Sequence, residues 1–301
     1  MTTTKKQAFP RFRFPCYASL RKHLGEYDAL VELNELAVRS LMSRIKPDPQ
    51  NLLQAESSEH QVRVDHSIVL TDEQFAARRA QFYVLSVYQQ AELFFADLID
   101  ELPQGAIWKA ASGKAARGKD EPQLDWIVRM VSTERPHELD KVHDAEFFDD
   151  VSVFSYFRLV RNAFMHEGKE TRALGAARNG LLNLRRQRSA ERDAEREIQR
   201  ERSFAVPNAY GELQFSDFIL FTRVIKSIAR RLCRALKPDL DTLLEHRYSY
   251  DNHYGLRKYL NSEVRFESAC RTRLSLDYNL TDDEISYSIP KVKELVASKR
   301  P

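Results

Sequence analysis

An all-α fold follows from three features of this 301-residue sequence. Glycine is scarce, at nine residues, while Leu, Ala, Arg and Glu are abundant, a balance that favours helices over glycine-turn-rich β architecture. Several long segments repeat apolar residues at helical spacing. Prolines close three of those segments, where they cannot continue a helix. With 43% hydrophobic and 30% charged residues, the chain has apolar material for one large domain or for a core domain with an appended lobe.

The first predicted helix runs over 17–45, with Leu30, Leu33, Ala37 and Leu41 at helical spacing, and "KPDPQ" at 46–50 stops it. The stretch from Ser57 to Gln74 reads as a polar connector with short extended pieces. Thr71, followed by Asp72, Glu73 and Gln74, supplies an N-cap and an acidic first turn. The helix this cap opens, 73–102, carries Phe75, Phe82, Leu85, Tyr88, Leu93, Phe95 and Leu98, and Pro103 ends it. "PQGAIWKAASGKAARGKDEPQ" reads as a basic loop. A shorter helix over 124–131 follows, then a turn-rich acidic connection into an aromatic helix over 153–166.

Residues 185–202 alternate in charge sign with almost no apolar position, the pattern of a solvent-exposed helix laced by i,i+4 pairs. "VPNAYGE" breaks it, and an amphipathic helix over 215–236 ends at Lys237-Pro238. The last 60 or so residues read as shorter, more polar pieces. They hold tyrosines at 248, 250, 254 and 259, which either stack single-stranded bases or pack a terminal lobe. The organisation expected is an N-terminal extension and connector over 1–70, a helical domain over 71–236 with a charged insertion at about 170–212, and a C-terminal helical extension over 237–301.

Cys16, Cys233 and Cys270 are widely separated, with no companion histidines at metal-finger spacing, so reduced thiols are expected and neither a zinc site nor a disulfide frame. No acidic cluster has metal-ligand spacing, and no metal or cofactor is expected. The N-terminus lacks the apolar core of a secretory signal, and no apolar run approaches the ~20 residues of a membrane span. These features lead to the expectation of a soluble, cytoplasmic protein that does not contact a membrane. The net charge of +3 is uneven: residues 155–237 hold 18 Lys/Arg against 9 Asp/Glu, and the rest of the chain is net negative. Such asymmetry fits a polyanionic partner or, equally, a solvated arginine-rich helix face.

"RNAFMH", from Arg161 to His166, lies at the end of the aromatic helix. With ~100° between successive residues, Val153, Phe157, Val160 and Phe164 fall in one apolar sector. Arg158, Arg161, Asn162, Met165 and His166 fall opposite, with Arg158, Asn162 and His166 in an i, i+4, i+8 stripe. Two arginines and a histidine without an acidic residue before Glu167 suit a phosphodiester. Arginine orients phosphate oxygens through paired N–H groups, and histidine moves protons near neutral pH.

Arg161-Asn162-x-x-x-His166 resembles the Arg-x(4–6)-His signature of the HEPN superfamily, in which a polar residue commonly follows the arginine. The likeness covers roughly 71–236. It implies a HEPN-like multi-helix bundle that dimerises through the motif helix, and a metal-independent ribonuclease of the toxin or phage-defence type, with an antitoxin or regulatory protein as a further partner. On that likeness Arg161, Asn162 and His166 are catalytic. His166 works as general acid or base at the ribose 2′-hydroxyl, Arg161 stabilises charge on the phosphate, and Asn162 holds its neighbours or the phosphate.

Glu92 either supports the site or faces away from it, and Arg158 either adds phosphate binding or pairs with an acid. Lys109, Lys114, Arg117 and Lys119 either track an RNA backbone or belong to a solvated loop. Some members of the superfamily only bind nucleotides or proteins, which makes a non-catalytic binding module the alternative. A toxin branch carries a modifiable tyrosine two residues after the histidine; here that position is Gly168, which reads as a helix end. A second Arg-to-His spacing, Arg247 to His253, lies in a tyrosine- and turn-rich stretch without the asparagine.

Overall fold

The computed structural model describes residues 12–63, 71–102, 117–119, 121–134, 145–167, 171–194, 205–249 and 255–298, and all regular structure among them is helical. Ten α-helices occur among the described residues: α1 Pro15–Ile45, α2 Pro49–Glu59, α3 Asp72–Glu101, α4 Gln123–Glu134, α5 Ala145–Asn162, α6 Arg172–Ala194, α7 Phe215–Ala235, α8 Leu240–Ser249, α9 Glu263–Tyr278 and α10 Asp282–Ser298. A π-helical turn, Ala163–Glu167, follows α5, and 3-10 turns occupy Tyr210–Glu212 and Leu256–Tyr259.

Local chemistry fixes the ends. At α3 the Thr71 hydroxyl accepts from the Gln74 N–H (3.2 Å), while the Gln74 side chain accepts from the Thr71 N–H (3.0 Å), a reciprocal cap. Thr281 and Glu284 repeat this at α10. Between α9 and α10, Asn279 takes the left-handed conformation (φ 52°) that ends a helix, and its N–H returns to Ser275 O.

Two readings of the N-terminal region change. "KPDPQ" does stop α1, but Pro49 is also the first residue of α2, a position where the missing N–H costs nothing. The expected connector therefore begins inside a helix; residues 64–70 lie outside the described ones. On α1, Leu30 and Leu33 are 63% and 64% exposed, whereas Leu24, Val31, Glu35 and Ile45 are buried. The buried face includes a carboxylate because two arginines satisfy it: Arg39 Nε lies 2.8 Å from Glu35 Oε1, and Arg79 donates to both oxygens at 2.9 and 3.2 Å. The C-terminal region is also more regular than its polarity implied, since α9 and α10 run 16 and 17 residues.

The chain divides into two compact units. The first comprises Met1–Arg21, Glu92–Phe147 and Ser227–Pro301; the second comprises Lys22–Ala91 and Phe148–Lys226. The division falls inside α1, α3, α5 and α7, so each of these helices gives part of its length to each unit. In the first unit α10 packs against both α8 and α9, with Leu244, Tyr248, Phe266, Cys270, Leu274 and Val292 in the core. Tyr248 serves packing there, one of the two roles the sequence allows. The three cysteines are free and buried, and burial pushes the Cys233 thiol up to about 12, far from a reactive thiolate.

The second unit is built on aromatic rings. Phe157 stacks on Phe221 at 4.3 Å between centroids, Phe154 lies 5.8 Å from Phe221, and Tyr88 stacks on Phe154 at 5.5 Å. Burying each ring contributes about 2–3 kcal/mol. Tyr156, also buried, donates its hydroxyl to Asn208 O (2.7 Å), which ties α5 to the segment before α7.

Candidate functional site

The motif residues stand at the end of α5 in the second unit. Val153, Phe157 and Val160 are buried as the helical projection places them, and Phe164 is half-buried with its ring against Phe82 (5.0 Å). Arg158 and Arg161 are half-buried, and Asn162, Met165 and His166 are exposed. The two sectors of the helix thus carry opposite environments.

Arg161 is held in two ways. Its Nη1 donates to Asn162 Oδ1 at 3.0 Å, and its guanidinium lies 5.8 Å from the centroid of the Tyr88 ring. Tyr88 itself is buried and stacked on Phe154, so the cation rests on the end of the aromatic column that forms the unit's core. Among the described residues Arg161 makes no ion pair, which leaves its charge available to an anion. The remaining guanidinium N–H groups suit the paired oxygens of a phosphate.

The sequence predicts one α-helix through His166, but the α geometry ends at Asn162 and a π turn carries 163–167. A π turn has more residues per turn than an α-helix, so His166 stops short of the azimuth that an ideal stripe with Arg158 and Asn162 assigns it. Such turns concentrate at functional sites, because they re-aim a side chain without breaking the helix. Among the described residues no hydrogen bond joins His166 to Arg161 or Asn162. The chain therefore couples Arg161 to Asn162 and leaves the imidazole projecting on its own.

Of the other candidates, Glu92, Arg117 and Lys119 belong to the first unit. Glu92 is half-buried on α3. Arg117 and Lys119 are exposed, and Lys109 and Lys114 lie outside the described residues. Residues 168–170 and 195–204 also lie outside them, so Gly168 and the later part of the charge-alternating stretch are not placed; its residues 185–194 lie in α6. Arg247 of the second Arg-to-His spacing occupies the last turn of α8, which the sequence reads as irregular, while His253 lies outside the described residues.

Sequence reasoning missed Tyr88 as a partner of Arg161. Its signal was present only as one of seven apolar positions on α3, with nothing to separate it from the other six. Beside the motif, Phe82 and Met165 are 59% and 56% exposed, an apolar surface next to a cation and an imidazole. Among the described residues no three or more His, Cys, Asp and Glu side chains gather as they would around a metal ion, and no helix is long and apolar enough to cross a membrane.

No protein-family model matches this chain, and no curated protein and no solved structure matches it.

Proposed function

We propose that the protein is a HEPN-like, metal-independent RNA endonuclease of the toxin or phage-defence type, working as a homodimer through the motif helix. The observation that carries this reading is the held arginine. Arg161 is fixed by Asn162 and Tyr88, carries no internal counter-charge among the described residues, and stands five residues before an exposed imidazole. Exposed Phe82 and Met165 beside it supply apolar surface for a second copy, which would bring a second histidine to the cleft.

In that cleft one imidazole takes the proton of a ribose 2′-hydroxyl as O2′ bonds to the adjacent phosphorus. The P–O5′ bond breaks, and a protonated imidazole returns a proton to O5′. Arg161 holds the non-bridging oxygens as charge accumulates on them, an interaction that strengthens toward the transition state. Asn162 keeps the guanidinium in register. The products are a 2′,3′-cyclic phosphate and a 5′-hydroxyl. An antitoxin or other regulatory protein is the partner class such an activity requires in a living cell.

The test is incubation of purified wild-type and His166→Ala protein with total RNA in EDTA, followed by end-group analysis. Cleavage by the wild type alone, leaving cyclic phosphate ends, is the expected result. Salt-sensitive RNA binding in both proteins with cleavage in neither would instead identify a binding module.

A further inference from the structure

The second unit contains a cavity of about 510 Å³ that the motif does not use. Its walls come from three stretches: α1 with Glu35 and Arg39, the first turns of α3 up to Tyr83, and residues 208–215. The third wall is fixed before any ligand arrives. The buried carboxylate of Asp217 accepts from Asn208 N (2.9 Å), Asn208 Nδ2 (3.0 Å) and Gln214 N (2.8 Å), and buried Gln81 donates to Tyr210 O (3.0 Å). A site of this size, largely preformed, is in the range of small-molecule pockets.

The lining chemistry narrows the occupant. Glu35 is satisfied by Arg39 and Arg79, and among the described residues the hydrogen bonds of both guanidiniums go to Glu35. Both Nη groups of Arg39 and Nη1 of Arg79 remain as donors. At the exposed rim stand the carboxylates of Asp72, Glu73 and Glu212. Three rim carboxylates outweigh the single net positive charge of the Arg–Glu–Arg group, so a phosphate or polyphosphate is repelled. Most of the remaining wall surface is apolar, with Ala80 fully buried and the Phe215 ring 6.0 Å from the Arg39 guanidinium, and Tyr83, Asn208 and Gln214 add uncharged polar groups. A flat, uncharged ring with donors on one edge and acceptors on another meets every one of these conditions.

We propose that this cavity binds a guanine base. Guanine presents N1–H and N2–H₂ side by side, a donor pair that matches one carboxylate. Its O6 and N7 form an adjacent acceptor pair that matches one arginine. Its ring face suits the Phe215 and Arg39 wall. The base comes either from a free guanine nucleoside or from single-stranded RNA; the RNA source rests on the ribonuclease reading above, and the cavity itself does not.

The experiment is calorimetric titration of full-length His166→Ala protein, so that cleavage and binding are judged apart. The ligands are guanosine, adenosine, GTP, and two oligouridylates carrying one internal G or one internal A. Guanosine is expected to bind at least ten-fold more tightly than adenosine, with GTP no tighter than guanosine. The same preference between the oligonucleotides assigns the base to a substrate strand; a preference among nucleosides alone assigns it to a free ligand. A Cβ at Gly211, on the rim, meets no atom within 4 Å, so Gly211→Trp is expected to fold and to fill the cavity mouth, removing guanosine binding. The double variant Asp72→Asn, Glu212→Gln changes no shape and is expected to weaken guanosine binding about ten-fold. Equal binding of guanosine and adenosine, much tighter binding of GTP, no guanosine binding at all, or undiminished binding in both variants overturns the proposal.

Discussion

Two arginines begin the two Arg-to-His spacings of this chain, and their electrostatic surroundings are opposite. Arg161, in the second unit, has an amide oxygen and an aromatic face as partners and no carboxylate among the described residues. Arg247, in the first unit, works among acids. Burial raises the carboxyls of Glu101 and Asp277 above the usual carboxylate range, and the charge of Arg247 counters that rise at both. Its neighbour His246 is pushed below the ordinary imidazole value, by burial first and by Arg247 second. One arginine thus balances carboxylates that folding has partly desolvated, and the other keeps an unspent charge at the surface. The spacing is shared; what distinguishes a candidate site from a structural cation is the local balance of charge.

The largest expected effect separates these two roles. Arg161→Ala and His166→Ala should each lower RNA cleavage by roughly 10²–10⁴-fold, the usual range for losing a positioned cation or a general acid–base group. Unfolding stability should stay within about 0.5 kcal/mol of wild type for exposed His166 and fall by no more than about 1 kcal/mol for Arg161, whose contacts are one hydrogen bond to a neutral amide and the Tyr88 ring. Arg247→Ala should do the reverse, lowering stability by roughly 1 kcal/mol, since it removes one of the favourable charges that offset the desolvation of both carboxylates. The Cys16 N–H at Glu101 and Arg273 and Arg13 at Asp277 remain. Cleavage per folded molecule should be unchanged. Denaturant melts and end-group assays on the three variants decide the matter, and a folded Arg247→Ala protein that no longer cuts RNA would erase the distinction.

Much of the helical framework was legible because its signals are local. A proline after an apolar run, Thr71 three residues before Gln74, and the amphipathic repeat of α7 all act within a few residues of themselves. The face that α1 buries was not legible. Leu30 and Leu33 look like core positions, yet Glu35 is inside because Arg79, 44 residues later, pairs with it. That pairing has no footprint in the sequence around either residue. The π turn was hidden for a related reason: it replaces i→i+4 by i→i+5 hydrogen bonds without changing composition, so His166 is re-aimed with no sequence mark. The cavity was hidden too, since its third wall lies more than a hundred residues along the chain from the other two. The polar and apolar sectors of α5 were readable from periodicity alone, but the support of Arg161 by Tyr88 required the fold.

That support gives a smaller and sharper test of the exposed-cation side of the comparison. Tyr88→Phe keeps the ring beneath Arg161 and the stack on Phe154, so cleavage should fall less than about two-fold. Tyr88→Leu removes the ring and should reduce kcat by roughly five-fold, in line with about 1 kcal/mol for a cation over an aromatic face. KM should change less than kcat if Arg161 acts mainly as charge develops. Stability falls as well in the leucine variant, because a buried aromatic contact is lost, so rates are compared per folded molecule. Equal losses in the two variants would mean that the hydroxyl matters and the platform does not.

The smallest expected effect lies on the other side, in the pH dependence of the first unit. The Glu101 carboxylate accepts the Cys16 N–H at 3.0 and 3.2 Å, but burial dominates and its proton is held more tightly in the folded protein than in the unfolded chain. Folding therefore takes up a proton between the ordinary carboxylate value and the raised one. Stability falls as pH rises through that window and levels off above it. Glu101→Gln keeps an oxygen for the Cys16 N–H and cannot ionise, so the fall should become shallower. It should not vanish, because Asp277 is also raised by burial and titrates in the same direction. Urea midpoints of the wild type and Glu101→Gln, measured from pH 4 to pH 7, should diverge as pH increases, with the variant gaining relative to wild type. Parallel profiles would show that Arg247 and the Cys16 N–H already offset the desolvation of Glu101, which would then carry no net cost for Arg247 to relieve.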